Sequence, residues 1–89
     1  MYSYARIKKI KDDLLTLLSN MKTDPKYSHI LNAGELSGFE SALTDYDVVL
    51  IKIGPGGYCK DEKINSGFNI TEQFISKIHS EMDAIKRNM

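Results

Sequence analysis

The sequence predicts an all-α fold: a small antiparallel bundle of three helices plus one short helix, in a single domain spanning residues 1–89. Three observations predict it. Apolar residues recur at alternating spacings of three and four near both ends of the chain, and eight of them between residues 36 and 53 share one side when advanced at about 100° per residue. Ser, Asp, Thr and Gly stand where helices need caps and stops. The stretch YCKDEKINSGFN, the one neighbour that might pair with a strand in the middle of the chain, is polar and alternates poorly.

In the first segment Ile7, Ile10, Leu14, Leu17 and Met21 form the apolar stripe, while Lys8, Lys9, Asp12, Asp13 and Ser19 fall elsewhere. This predicts an amphipathic helix over about 3–22. Asp24 supplies a cap and Pro25 suits a first turn, so PKYSHILNA, residues 25–33, is expected to be a short second helix packing Tyr27, Ile30 and Leu31 and ended by Gly34. Ser37 and Glu40 have the spacing of a capping box. The helix expected there turns Leu36, Phe39, Ala42, Leu43, Tyr46, Val49, Leu50 and Ile53 inward and leaves only Val48 and Ile51 on the other face. Gly54 and Pro55 stop it. The alternative is an α+β fold with a hairpin at about 47–64, because VVLIKI favours pleated backbone. After a long connection over 54–70, Thr71 caps the last helix. Ile70 and Ile75 have staple spacing, and Ile75, Ile78, Met82, Ile85 and Met89 make its stripe. Lys86 and Arg87 suit its C-terminal dipole.

Composition narrows the function. The formal net charge is zero and the pI about 6.7, so no basic field draws the chain to nucleic acid or anionic lipid. No run approaches a bilayer span, the N-terminus lacks a signal-peptide core, and the one cysteine, Cys59, forms no internal disulfide. A cytoplasmic protein is expected. Lysine far outnumbers arginine and isoleucine is abundant, as in chains from AT-rich genomes of phages or low-GC bacteria.

The run YDVVLIKIGPGGY, residues 46–58, resembles the opening of the flavoprotein disulfide reductases, which implies a pyrophosphate cradle. Lys52 stands where that fingerprint needs its first glycine, and the following residues lack the apolar periodicity of a phosphate-facing helix. No flavin, nicotinamide or other cofactor is therefore expected. A second run, TDPKYSHIL, residues 23–31, resembles the junction of the first two helices in pediocin-like bacteriocin immunity proteins. That resemblance implies a small helical bundle acting as an inhibitor.

No catalytic constellation emerges. His29 and His79 have no ligand at metal-binding spacing, and Cys59 beside Lys60 has no recognisable base, so neither a metal site nor an enzyme is expected. What remains is binding. Val48 and Ile51, with Leu15 and Tyr4 at the edge of the first helix, exceed the apolar surface a small bundle needs, which predicts a homo-oligomer. The leading expectation is a non-catalytic protein that sequesters or inhibits a protein target, of phage-encoded or immunity type. The alternative is a nucleotide or phosphate compound held by Gly54, Gly56, Gly57, Lys60 and Lys63, with Tyr58 and Tyr4 stacking on it.

Overall fold

The computed structural model describes residues 1–88. It runs β1 (Tyr2–Ser3), α1 (Tyr4–Thr23), a 3-10 turn (Pro25–Tyr27), α2 (Ala33–Ile53), β2 (Tyr58–Cys59) and α3 (Glu62–Arg87). The fold is the expected all-α bundle, and 47–53 is helix throughout, so the hairpin alternative does not form. The only strands among the described residues are the two-residue β1 and β2, paired antiparallel with Tyr2 opposite Cys59 and Ser3 opposite Tyr58. Side-chain contacts fix the helix directions. Lys11 pairs with Asp47 and Lys22 with Glu40, so α2 runs back along α1. Phe39 stacks on Phe74 and Tyr46 packs on Phe68, so α3 reverses again.

The first helix follows its sequence. Ser3 caps it by accepting from the Arg6 N–H, and Ile7, Ile10, Leu14, Leu17, Leu18 and Met21 are buried. The expected second helix is instead a single 3-10 turn. Asp24 caps it, Tyr27 and Leu31 still reach the core, and the chain then enters α2. The starts of α2 and α3 both lie earlier than expected. For α2 the capping box is Asn32 with Glu35, not Ser37 with Glu40: the Asn32 carbonyl oxygen accepts from the Glu35 N–H at 2.8 Å, and the Glu35 carboxylate accepts from the Asn32 N–H at 3.1 Å. Gly34 therefore sits in a first turn and does not end a helix.

For α3 the cap is Asp61, whose carboxylate accepts from the N–H groups of Lys63 and Ile64. Thr71 is a buried mid-helix residue and Ile70 points to solvent, so neither the Thr71 cap nor the Ile70 staple exists. The connection expected over 54–70 shrinks to 54–61. The stripe through Ile75, Ile78, Met82 and Ile85 is as expected, and it extends back through Phe68. Met89 lies outside the described residues.

Phe68 is fully buried, with Tyr2 on one side at 5.4 Å between ring centroids and Tyr46 edge-on at 4.8 Å on the other. Thr71, one turn on, is tolerated in the core because its polarity is matched. Its hydroxyl donates to the Gly67 carbonyl at 3.0 Å and accepts from the Tyr46 hydroxyl. Removing the Phe68 ring exposes this chain of hydroxyls as well as leaving a hole.

The N-terminus is clasped onto the same place. The Tyr2 hydroxyl donates to Glu72 at 2.7 Å, and Arg6 donates to both Glu72 oxygens at 3.0 and 3.1 Å while lying 4.1 Å from the Tyr2 ring centroid. Partial burial pushes the Glu72 carboxyl up, but the hydrogen bonds from Arg6 and Tyr2 and the charges of Arg6 and Lys9 outweigh it and hold it below the usual carboxylate range. Burial, then the bond to Glu72, raises the Tyr2 phenol.

Two outcomes follow. Phe68→Ala is expected to cost about 3–5 kcal/mol, measured as a lowered urea midpoint, and to leave little folded protein in so small a chain. A carboxyl whose folded pKa is depressed contributes stability above its unfolded pKa and loses it as pH falls through the folded one. The urea midpoint is therefore expected to drop between about pH 5 and pH 3, and Glu72→Gln to make that drop shallower. An unchanged acid limb in Glu72→Gln would rule the clasp out as its source.

Candidate functional site

The antiparallel crossing of α1 and α2 leaves a long cleft on the side turned away from α3. Residues whose numbers sum to about 58 lie level across it, as Lys11 and Asp47 do. At one end a groove of about 460 Å³ is lined by Tyr4, Lys8, Lys11, Asp47, Leu50, Ile51, Gly54 and Pro55. Next along the same two helices, a groove of about 400 Å³ is lined by Leu15, Leu18, Ser19, Lys22, Glu40, Leu43 and Thr44.

The sequence explains this face locally. On α1, Tyr4, Lys8, Lys11, Leu15, Ser19 and Lys22 follow one another at intervals of three and four; on α2, Glu40, Thr44, Asp47 and Ile51 do the same, and Pro55 follows in the turn beyond its end. Each stripe lies beside its helix's buried stripe, so it borders the core without entering it. Apolar groups are left in water: Ile51 is 81% exposed, Leu15 52% and Val48 46%. Of the four residues expected at an oligomer interface, Tyr4 and Ile51 share the first groove, Leu15 lines the second, and Val48 borders the α2 stripe on its outer side.

Charge is distributed unequally across the cleft. The α1 side carries Lys8, Lys11 and Lys22, and the α2 side carries Asp47 and Glu40. Lys22 meets Glu40 at 2.7 Å, and Asp47 pairs with Lys11 and holds its ammonium above the ordinary lysine value. Among the described residues Lys8 has no carboxylate within ion-pair distance. Sequence reading did not group the lysines and carboxylates of this cleft: Glu40 was expected in a capping box, and pairing Lys11 with Asp47 and Lys22 with Glu40 needs the hairpin register.

The residues expected to hold an anion are placed differently. Tyr4 and Gly54 line the first groove, but Gly56, Gly57, Tyr58, Lys60 and Lys63 do not. Three of the amides are engaged: Gly54 N–H donates to the Leu50 carbonyl, Gly57 N–H to the Gly54 carbonyl and Lys63 N–H to Asp61. The loop also lies at the C-terminal end of α2, where the helix dipole is negative. Its glycines serve the turn. Gly54 and Gly56 have φ of 70° and 82°, and the Gly57 carbonyl accepts from the Tyr4 N–H at 2.9 Å, carrying the chain from α2 to the β1–β2 pair. Cys59 is buried, its thiol facing the Asp61 carbonyl, and its own carbonyl accepts from the Asn65 side chain at 2.9 Å.

His29 and His79 are exposed, and among the described residues no group of three or more His, Cys, Asp and Glu side chains is arranged to hold a metal ion. Among the described residues no helix is long and apolar enough to cross a membrane. Comparison of the chain with protein-family models, curated proteins and solved structures finds no match.

A methyl group on Gly57 would overlap the Ile53 carbonyl oxygen, backbone that has no freedom to move aside. Gly57→Ala is therefore expected to destabilise the fold by on the order of 2 kcal/mol. It should also accelerate hydrogen exchange at the Tyr4 amide, since the loop must shift away from β1. A Gly57→Ala variant with native stability and native Tyr4 protection would contradict this structural role.

Proposed function

We propose that the protein is a non-catalytic binding module that acts as a homo-oligomer and works by occupying or sequestering a protein target, with the outer face of α1 and α2 as its contact surface. One observation carries the reading: Leu15 and Ile51 stand largely in water along a cleft that the third helix leaves open, with Tyr4 and Val48 beside them. Transferring such side chains out of water is favourable by roughly 25 cal/mol for each Å² removed. Among the described residues no further element covers them, because α3 is committed to the opposite side through Phe68, Phe74 and Ile78. A face of two antiparallel helices with an apolar centre and charged borders matches another pair of helices in shape and chemistry.

The functional class of inhibitor or immunity-type protein rests on the same ground, since a small chain that binds without chemistry acts by blocking what it binds. The test is sedimentation. The native chain is expected to sediment as an oligomer at micromolar concentration. Leu15→Asp combined with Ile51→Asp should give a monomer of unchanged helicity, because both positions lie outside the core. A strictly monomeric native chain would remove the homo-oligomer, and an oligomer indifferent to the double substitution would move the contact surface elsewhere.

A further inference from the structure

We infer that the occupant of the α1–α2 cleft is a second copy of this chain, related by a two-fold axis running parallel to the helices, so that α1 of each copy lies over α2 of its partner and the four helices form one bundle. The inference rests on the binding surface proposed above and adds the identity and orientation of what covers it.

Charge complementarity selects this arrangement. Two copies can meet through the same face about an axis along the helices or about one across them. With the axis across, α1 lies on α1 and α2 on α2. Lys8, Lys11 and Lys22 then meet a second set of lysines, while Asp47 and Glu40 meet a second set of carboxylates; like charges brought together at an interface oppose association. With the axis along the helices, each level of one copy meets the same level of the other. Residues that face each other within a chain then also face each other between chains, and the layers match. The Lys11 ammonium of one copy lies over the Asp47 carboxylate of the other, and Lys22 over Glu40, so each intrachain pair becomes part of a four-charge ring of alternating sign. Between the two rings Leu15 meets Leu43 and Thr44. Beyond the Lys11–Asp47 layer, Tyr4 meets Ile51 and Pro55, covering the most exposed large aliphatic side chain of the cleft.

Lys8 fits the same scheme. It lines the first groove but has no carboxylate partner among the described residues of its own chain. In the bundle it stands above the end of the partner's α2, within reach of Asp47 and of the last helical carbonyls, where the helix dipole favours a cation.

The test uses the native chain. Equal amounts of unlabelled and 15N-labelled protein are mixed and coupled with a carbodiimide, which joins lysine to aspartate or glutamate only in direct contact. Peptide pairs of mixed isotope come solely from links between copies. The expected mixed pairs join the Lys8, Lys11 or Lys22 peptides to those containing Asp47 or Glu40. Mixed pairs joining α1 to α1, for example lysine to Asp12, or any pairs through α3, would overturn the orientation while leaving the oligomer intact; a monomer at every concentration would overturn the underlying reading as well.

A second measurement is independent of coupling chemistry. Lys8→Glu, which breaks no intrachain ion pair, is expected to raise the dimer dissociation constant by about tenfold or more, and Lys77→Glu on the exposed side of α3 to leave it unchanged. The dissociation constant of the native chain should also rise with salt. Equal effects of Lys8→Glu and Lys77→Glu would overturn the proposed pairing.

Discussion

Phe68 has no surface exposed to water, and three parts of the chain depend on where it sits. Its ring is a contact between α3 and Tyr46 of α2, and also the surface against which Tyr2 closes. A bundle of this size buries a smaller share of its surface than a larger domain, so few side chains carry much of the hydrophobic stabilisation. Around Phe68 the polar groups are arranged in the only way such a site permits: the Tyr46 hydroxyl donates to Thr71, and Thr71 donates to the Gly67 carbonyl. Asp61 caps α3 about two turns before Phe68, so the ring stands on a formed helix when it faces inward.

The chain's two short strands follow from that contact. Tyr2 reaches Phe68 only if the residues before α1 lie extended against Tyr58 and Cys59, and the glycine turn after α2 supplies the edge they pair with. Arg6 and Glu72 then close the arrangement from outside. The run that scans as a dinucleotide-binding strand and turn thus has another physical meaning. Its aliphatic residues wind as the last turns of a helix, and its glycines provide two positive φ angles and one close backbone approach. The opening resemblance arises because a helix end and a phosphate loop need glycine for the same reason, freedom from a Cβ.

Using one side of the α1–α2 hairpin for α3 leaves the other side open. The first helix is apolar over more than the width one neighbour can cover, and α2 carries Ile51 opposite its buried residues. Lysines on one helix and carboxylates on the other tie the hairpin together across this face. Ion pairs so exposed add little to the stability of the monomer.

How much of this was legible depended on whether a signal was local. The existence of three long helices, the stop at Gly54, the inward set from Leu36 to Ile53 and the exposure of Val48 and Ile51 all come from periodicity and backbone chemistry within a few residues, and the structure has them. The start of α3 did not declare itself, because Asn65, Ser66, Gly67 and Asn69 interrupt the stripe and Thr71 reads as a cap until Tyr46 is known to satisfy it. The segment 25–33 carries a cap and a proline, yet Asn32 and Glu35 form the stronger box and claim its end for α2. The candidate site divides the same way: its apolar members could be read from one helix at a time, whereas Lys8, Lys11, Lys22, Glu40 and Asp47 became a set only when the hairpin aligned them. By itself the sequence determined which stretches wind and which side of each is oily, since both follow from neighbours three and four residues away. Only the tertiary structure decided where the last two helices begin, what the glycines serve and which charges share a face, because each depends on partners many residues distant.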